Sequence, residues 1–191
     1  MPYSHEALYR DVAQVQHSSL DLFGSGRLIG PNLVLTARHV LTPKGVDVPE
    51  QMGWQVRLIA DRPDTQQANK WKWMEASVAW TGQETLDLAL LKLVSRPGVP
   101  DQRPRLKLRI ARIENVKHHQ VRALGFPRGA KIEDKRTLFV PSGELDDESG
   151  TTLSLGIDQA YHPESPNEDW RGFSGSAILL AESVDPEVVW I

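Results

Sequence analysis

The amino-acid sequence predicts an all-β protein, built as a sandwich or a barrel. Short apolar runs follow one another along most of the chain, and Gly, Pro and Asn residues separate them. Runs of this kind bounded by turn residues are typical of strands and hairpins. Sustained helical periodicity is almost absent, so the sequence lacks the helical layers of an α/β fold.

The predicted strands follow a polar start of about twenty residues, which suits a short helix or an edge strand. The apolar runs are Leu22-Phe23, Arg27–Ile29, Leu33–Leu35, Gln55–Leu58, Ala76–Trp80, Leu88–Leu93, Leu106–Ile110, Val121–Leu124, Thr137–Val140, Thr152–Leu155 and Ala177–Leu180. Between them, Ser95–Pro104 is rich in proline and predicts a linker. It divides the chain into halves at about 20–95 and about 105–191.

Length and composition exclude several classes of protein. The 191 residues suit one domain, and the net charge of −3 offers no overall field that attracts nucleic acid. The N-terminal residues lack a basic segment followed by an apolar run, and no stretch reaches membrane-spanning length. We therefore expect a cytoplasmic protein without a membrane partner. The absence of cysteine excludes disulfides and thiol catalysis, and we expect no metal or cofactor.

A serine lies between glycines in Gly172-Phe173-Ser174-Gly175, just before the apolar run Ala177–Leu180. Glycine adopts backbone angles that a Cβ forbids, so such a turn can expose one hydroxyl and direct neighbouring N–H groups to the same point. Near neutral pH that hydroxyl is a weak nucleophile unless a base and a group that orients the base accompany it. Alone, the string is more typical of an ordinary turn.

Two other stretches offer the base and its orienting group. Thr36-Ala37-Arg38-His39 ends a predicted strand, and an imidazole can accept and return a proton near pH 7. Asp87 begins the apolar run Leu88–Leu93, where we expect a buried carboxylate that an imidazole N–H would satisfy. The alternatives are an exposed aspartate at a strand edge and a histidine without a catalytic role. The other histidines are His5, His17, His118, His119 and His162.

Together, the three stretches resemble the trypsin/chymotrypsin-like serine peptidases. The likeness is greatest to cysteine-free bacterial cytoplasmic members, of the kind found in multidomain signalling and antiviral defence proteins. In that family Thr-Ala-x-His, Asp-x-Ala-Leu and Gly-x-Ser-Gly-Ser follow one another in this order. The resemblance runs from Leu22 to the C-terminus and includes the turn Gly125-Phe126-Pro127. It implies two six-stranded antiparallel β-barrels of the chymotrypsin type.

The resemblance also implies a serine endopeptidase that cleaves a protein substrate through an acyl-enzyme intermediate. His39 would be the general base, Asp87 would orient it, and Ser174 would attack the peptide carbonyl. The backbone N–H groups of Gly172 and Ser174 would form the oxyanion hole. Each role comes to this chain from the family motif that the residue matches.

The order of the motifs excludes two other folds that use the same chemistry. An α/β-hydrolase has its triad in the order serine, acid, histidine, and no histidine follows Ser174. A subtilisin-type enzyme needs its acid before the histidine, which Asp11 or Asp21 could supply. Its parallel sheet, however, needs long helices that this sequence does not offer.

Several features depart from the family pattern. Val40 and Phe173 stand where secreted members commonly have a cysteine and an aspartate. Without an acid at 173 a newly cleaved N-terminal amine would have no buried partner, so we expect no activation by that route. Family members continue well beyond the position of Ile191. We therefore expect a second barrel that is incomplete at its C-terminus, followed by a regulatory domain or partner chain.

Substrate preference is only weakly encoded. In the family, the base of the specificity pocket lies six positions before the nucleophile, which corresponds to Glu168, with Asp169 beside it. An acidic pocket would favour Arg or Lys on the amino side of the cleaved bond. A solvated loop is the other interpretation of this segment. Asp146-Asp147-Glu148 lacks the spacing of a calcium loop and predicts a surface turn.

Two further functions remain alternatives to the enzyme. A catalytically silent peptidase-like domain would use the same fold to bind a protein partner. A nucleic-acid-binding β domain would require a continuous basic groove, which the net charge of −3 does not suggest.

Overall fold

The first half of the chain closes into a six-stranded barrel. The computed structural model describes residues 9–43, 53–62, 71–83, 86–94, 109–111, 119–128, 130–132, 135–136, 138–147, 153–157, 170–180 and 187–189. The barrel strands are β1 (Val12–His17), β2 (Phe23–Leu28), β3 (Leu33–Thr36), β4 (Trp54–Leu58), β5 (Met74–Thr81) and β6 (Ala89–Leu93). They are antiparallel in the circular order β1-β2-β3-β6-β5-β4. The all-β prediction is confirmed, and the first half is a barrel.

The barrel core follows from the two-residue period of its strands. In β4, Trp54, Val56 and Leu58 are buried, whereas the alternating Gln55 and Arg57 are half-buried. The same period in the neighbouring strands fills the interior with aliphatic side chains. This core includes Ala13, Val15, Val34, Leu41, Ala76, Leu91 and Leu93.

Strand β1 lies before the expected start of the first half near residue 20. It is neither a helix nor an edge strand, because it pairs with both β2 and β4. Polar residues obscure it in the sequence, and one of them, Gln14, is 1% exposed. Ala13 faces the barrel core, while Val12 packs against residues of the second half. The strand is therefore buried on both faces.

The second half contributes a sheet whose described strands are mostly antiparallel. They are β7 (Arg109–Ala111), β8 (His119–Leu124), β9 (Lys131–Ile132), β10 (Lys135–Arg136), β11 (Ser142–Asp147), β12 (Leu153–Ile157), β13 (Ala177–Leu180) and β14 (Glu187–Val189). Six form the sheet β12-β11-β8-β13-β14-β7, and β9 pairs only with β10. The pair β7–β14 is parallel. Closure of this sheet into a second barrel remains a prediction.

Two predictions in the second half are wrong. Asp146 and Asp147 do not form a surface turn, because they lie in β11 opposite Ser154 and Leu153. Strand pairing uses backbone groups, so acidic side chains do not prevent it. In the predicted strand Thr137–Val140, the described residues form only a bridge between Phe139 and Gly125. The next residue, Pro141, has no N–H to continue a ladder. The predicted linker Ser95–Pro104 lies outside the described residues.

A shared apolar cluster joins the two halves. Val12 of β1 packs with Leu124, Phe126, Ala177 and Leu179, all of which are buried. Two short helical elements lie in the first half, the four-residue turn α1 (Arg38–Leu41) and a 3-10 turn at Ile59–Asp61. Across the part of the chain that is described, no helix combines the length and the apolar character that crossing a membrane requires.

Candidate active site

His39 lies in α1, the single helical turn that follows β3. Val40 and Leu41 are 5% and 1% exposed and anchor this turn in the barrel core. With its neighbours facing inwards, His39 keeps 55% of its side chain exposed. The local sequence therefore holds an imidazole at the rim of the barrel.

Asp87 stands beside His39 because β3 and β6 are antiparallel neighbours. Thr36 pairs with Ala89 at the end of their ladder. The chain thus leaves β3 at the same edge where it enters β6. His39 comes shortly after Thr36 and Asp87 shortly before Ala89, so the register brings the two together.

Both carboxylate oxygens of Asp87 contact His39. Oδ2 lies 2.5 Å from Nδ1 of the imidazole, and Oδ1 accepts the backbone N–H of His39 at 2.8 Å. The carbonyl of Asp87 also accepts the N–H of Arg38 at 3.2 Å. Because an ionised carboxylate only accepts, Nδ1 carries the proton of the neutral imidazole. This tautomer leaves Nε2 as the proton acceptor.

The pair is open to solvent, with 55% of the His39 side chain and 53% of the Asp87 side chain exposed. The expectation of a buried carboxylate is therefore wrong. Electrostatic attraction between exposed groups is weak because water screens it. The contact consequently acts mainly by fixing the orientation and the tautomer of the ring.

Ser174 lies in a tight turn immediately before β13. The N–H of Phe173 donates to the carbonyl of Trp170 at 3.0 Å. The third residue of this turn, Gly172, has a φ of 93°, which is characteristic of a type II turn. A Cβ at Gly172 would be strained at this φ and would lie 2.5 Å from the ring of Phe23. The backbone angle and the closeness of Phe23 therefore both require glycine at position 172.

The turn that carries Ser174 packs against the segment that carries His39. The carbonyl of Ser174 accepts the N–H of Ser25 in β2 at 2.8 Å. Gly175, with a φ of 81°, lies so close that a Cβ would stand 2.9 Å from the nitrogen of Ala37. Ala37 begins the loop into α1. The two chain halves thus meet at the barrel edge that holds His39.

No hydrogen bond links the side chains of His39 and Ser174, both of which belong to the described residues. Catalytic hydrogen bonds are often long in enzymes without substrate and shorten when it binds. Of the three candidate residues, His39 and Asp87 are in direct contact. The backbone of its turn brings Ser174 to the same edge.

The N–H groups of the turn differ in whether they have an acceptor. The N–H groups of Phe173 and Ser176 donate to carbonyls within the turn, both at 3.0 Å. By contrast, those of Gly172 and Ser174 donate to none of the residues that the structure describes. Free donors beside a hydroxyl are what the stabilisation of a developing oxyanion requires.

Phe173 anchors the turn through aromatic packing. Its ring meets that of Trp170 edge to face at 5.4 Å between centroids, and that of Phe139 at 6.4 Å. The side chains of Phe139, Trp170 and Phe173 are all half-buried and form one aromatic cluster. The substitution at this position is therefore matched by its surroundings.

Sequence reasoning missed Ser25, which is fully buried between the halves. Its hydroxyl donates to the carbonyl of Gly172 at 2.7 Å and accepts the N–H of Phe126 at 2.8 Å. The only sequence signal was its position between Gly24 and Gly26. Glu168 and Asp169, predicted to line the specificity pocket, lie outside the described residues.

Comparisons with known proteins agree with this architecture. The sequence profile of the family described as "Trypsin-like peptidase domain" matches residues 24–184. A comparison with curated protein sequences finds no significant match.

Several solved structures share the fold. A thermostable serine protease, AL20, from an extremophilic microorganism aligns over 95% of this chain and 83% of its own, with 15% identity and a TM-score of 0.63. A Glu endopeptidase in complex with MPD aligns over 95% and 79%, with 18% identity and a TM-score of 0.58. An inactive form of Rv3671c from M. tuberculosis H37Rv aligns over 95% and 73%, with 20% identity and a TM-score of 0.55.

The family profile covers most of the chain, including all three motif stretches. The solved structures, at identities below 25%, support the fold alone. The chain therefore belongs to the trypsin/chymotrypsin-like serine peptidase family.

Proposed function

We propose that this chain is a serine endopeptidase with His39, Asp87 and Ser174 as its catalytic triad. The observation that carries the proposal is the two-point contact between Asp87 and His39, at the barrel edge against which the Ser174 turn packs. A base with its tautomer fixed, beside a serine and two free N–H donors, has the components for acyl transfer.

The reaction follows from these groups. Nε2 of His39 accepts the proton of the Ser174 hydroxyl as Oγ attacks the peptide carbonyl. The carbonyl oxygen becomes an oxyanion, which accepts hydrogen bonds from the N–H groups of Gly172 and Ser174. The tetrahedral intermediate collapses when the leaving amine takes the proton from Nε2. Water then attacks the acyl-enzyme by the same route, and the carboxylic acid product leaves.

Covalent labelling tests the assignment of the nucleophile. A fluorophosphonate probe phosphonylates an activated serine, so the intact protein should gain one probe mass, located at Ser174 by peptide mapping. Ser174→Ala should abolish labelling, whereas Ser77→Ala, in β5 of the first barrel, should leave the labelling rate unchanged. Labelling of Ser174→Ala at the original rate would refute the assignment.

A catalytically silent, protein-binding domain is the second candidate. The exposure of the His39–Asp87 pair favours it, because water weakens the charge stabilisation on which the triad depends. Hydrolysis of a mixed fluorogenic peptide library separates the two candidates. Turnover that Ser174→Ala removes supports the enzyme, while absence of turnover and of labelling supports the silent domain.

The wider context of the proposed enzyme is inferred from the resemblance. Such a domain would cleave a protein substrate in the cytoplasm, under the control of a regulatory domain or partner chain in a bacterial signalling or defence protein. The cysteine-free composition suits a reducing compartment. Fluorogenic peptides that differ only on the amino side of the cleaved bond would test a preference for Arg or Lys.

A further inference from the structure

We infer that Ser25 is a positioning residue, which sets the geometry of the proposed oxyanion hole from the other half of the chain. The inference rests on the proposed function of Ser174. It adds a residue that lies outside the triad and outside the turn itself.

The hydroxyl of Ser25 bridges two segments of the second half. It donates to the carbonyl of Gly172 at 2.7 Å and accepts the N–H of Phe126 at 2.8 Å. Ser25 is 0% exposed, so solvent water does not reach its hydroxyl to replace either hydrogen bond. A buried group that loses its partner pays its full desolvation cost, which holds both bonds in place.

The backbone of Ser25 holds the same turn at a second point. Its N–H donates to the carbonyl of Ser174 at 2.8 Å. Its own carbonyl accepts the hydroxyl of Thr36 at 2.7 Å. The pairing of β2 with β1, in which Ser25 lies opposite Gln14, holds Ser25 in the first barrel, and Ser25 contacts the turn that carries Ser174.

The carbonyls of Gly172 and Ser174, both bonded to Ser25, lie on either side of the peptide whose N–H is a proposed oxyanion donor. The N–H of Ser174 belongs to the peptide between residues 173 and 174. The carbonyl of Gly172 belongs to the peptide before it, and the carbonyl of Ser174 to the peptide after it. Since peptide units are planar, fixing both neighbours restricts rotation of the peptide between them. Ser25 therefore determines where the Ser174 N–H points.

The glycine beside Ser25 makes this close approach possible. A Cβ at Gly24 would stand 2.6 Å from Val40 and 3.1 Å from the carbonyl of Ser174. Any side chain there would push the turn away from β2. The segment Gly24-Ser25-Gly26 therefore forms the surface of β2 against which the turn that carries Ser174 packs.

Ser25→Ala tests the inference through the split between kcat and KM. An oxyanion hole acts on the transition state, so kcat should fall by about 10- to 100-fold while KM changes by less than about twofold. The affinity for a peptidyl trifluoromethyl ketone, which forms a tetrahedral adduct, should fall in the same proportion as kcat/KM. Thermal unfolding measured alongside reports the structural cost.

Thr36→Val is the matched control, because it removes a buried hydroxyl bonded to Ser25 without releasing either turn carbonyl. It should lower the melting temperature to a similar extent and leave kcat within about twofold. Equal kcat losses in both variants, or an unchanged kcat in Ser25→Ala, would overturn the inference. Should Ser25→Ala fail to fold, Ser25→Cys, which keeps a weak donor, should show an intermediate loss.

A second readout does not depend on catalysis. The backbone amide ¹H and ¹⁵N shifts of Gly172 and Ser174 should move in Ser25→Ala and stay in place in Thr36→Val. Unmoved shifts would refute the role of Ser25 whether or not the protein is an enzyme. A wild-type protein that is neither labelled nor active, but whose shifts move in Ser25→Ala, would refute only the proposed function.

Discussion

The carboxylate of Asp87 determines what the imidazole of His39 can do. One oxygen contacts Nδ1 at 2.5 Å, and the other binds the backbone N–H of the same residue at 2.8 Å. These two contacts set the orientation of the carboxylate plane, and the carboxylate in turn sets the orientation of the imidazole ring. Because 53% of the Asp87 side chain is exposed, orientation and tautomer matter more than charge here.

Asp87→Asn separates orientation from tautomer. The amide oxygen can still accept the N–H of His39, but the amide N–H₂ group can only donate towards Nδ1. The ring would then carry its proton on Nε2 and could not accept one from Ser174. We expect kcat to fall by up to about 10⁴-fold with little change in melting temperature.

Asp61→Asn, which removes the same charge from an exposed residue of the 3-10 turn, serves as the control and should keep full activity. A kcat for Asp87→Asn within about threefold of wild type would contradict the assigned role.

The residue types of the site were predictable from sequence, but their environments were not. Motif positions pointed to His39, Asp87 and Ser174 as candidates, because local turns and strand starts can be recognised from adjacent residues, and their catalytic roles stay a prediction. The exposure of Asp87 could not be predicted, since it depends on which distant segments cover β6. Ser25 was missed for the same reason, because both partners of its hydroxyl are more than 100 residues away.

Among the structural elements, the turn before Ser174 is stabilised by a hydrogen bond within itself and by another from the segment that contains Arg128. The N–H of Arg128 donates to the carbonyl of Arg171 at 2.7 Å. That carbonyl and the N–H of Gly172 belong to one peptide, in which they point in opposite directions. The bond to Arg128 therefore directs the Gly172 N–H, a proposed oxyanion donor, away from Arg128.

Arg128→Pro removes this N–H. Arg128 is the second residue of a turn closed by the bond from Ala130 N–H to Pro127 carbonyl at 3.3 Å. Proline is favoured at that position. Free rotation of the Arg171–Gly172 peptide should lower kcat by about 10-fold or more, because an oxyanion donor is lost for part of the time.

Arg128→Ala keeps the backbone N–H, so its kcat should match wild type in the same peptide assay. Equal losses in the two variants would mean that the Arg128 side chain, and not its N–H, is responsible.

Strand positions were largely predictable, and their pairing was not. Apolar runs located β4, β5, β6, β8 and β13, because alternation is a local property of the sequence. β1 was predicted only as a short helix or an edge strand, since Gln14 and Gln16 interrupt its apolar pattern, and its pairing on both sides was not predicted. The register of β3 against β6, which joins His39 to Asp87, became apparent only in the closed barrel.

At the scale of the whole molecule, the fold buries the positive charge of Arg27. Arg27 of β2 is 1% exposed, and none of its three guanidinium nitrogens has a hydrogen-bond partner in the described structure. Desolvation lowers the pKa of Arg27 to about 10, well below its ordinary value, although the negative charge of Asp11 acts in the opposite direction. At neutral pH this corresponds to about 3 kcal/mol of destabilisation. Because the folded-state pKa is the lower one, the destabilisation is complete below about pH 10 and disappears as the pH rises towards the pKa of the unfolded state.

Arg27→Met should therefore stabilise the protein. Methionine fills a similar volume without a charge, and replacing buried charges by apolar groups is often stabilising. We expect the free energy of unfolding in urea at neutral pH to rise by about 1–3 kcal/mol. Arg10→Met, at an exposed position, should change it by less than about 0.5 kcal/mol. A loss of stability in Arg27→Met would mean that the guanidinium has a stabilising anionic partner.

The sequence by itself determined the all-β class, the approximate strands and the three motif stretches, because each depends on residues close together in the chain. Only the tertiary structure decided that Asp87 is exposed, that Arg27 is buried and that Ser25 forms hydrogen bonds with the turn that carries Ser174. Each depends on contacts between segments that are distant in sequence, such as the hydrogen bond from Ser25 to Gly172, which spans 147 residues. No local pattern specifies such contacts, since they form only when the barrel has closed and the second half has docked against it.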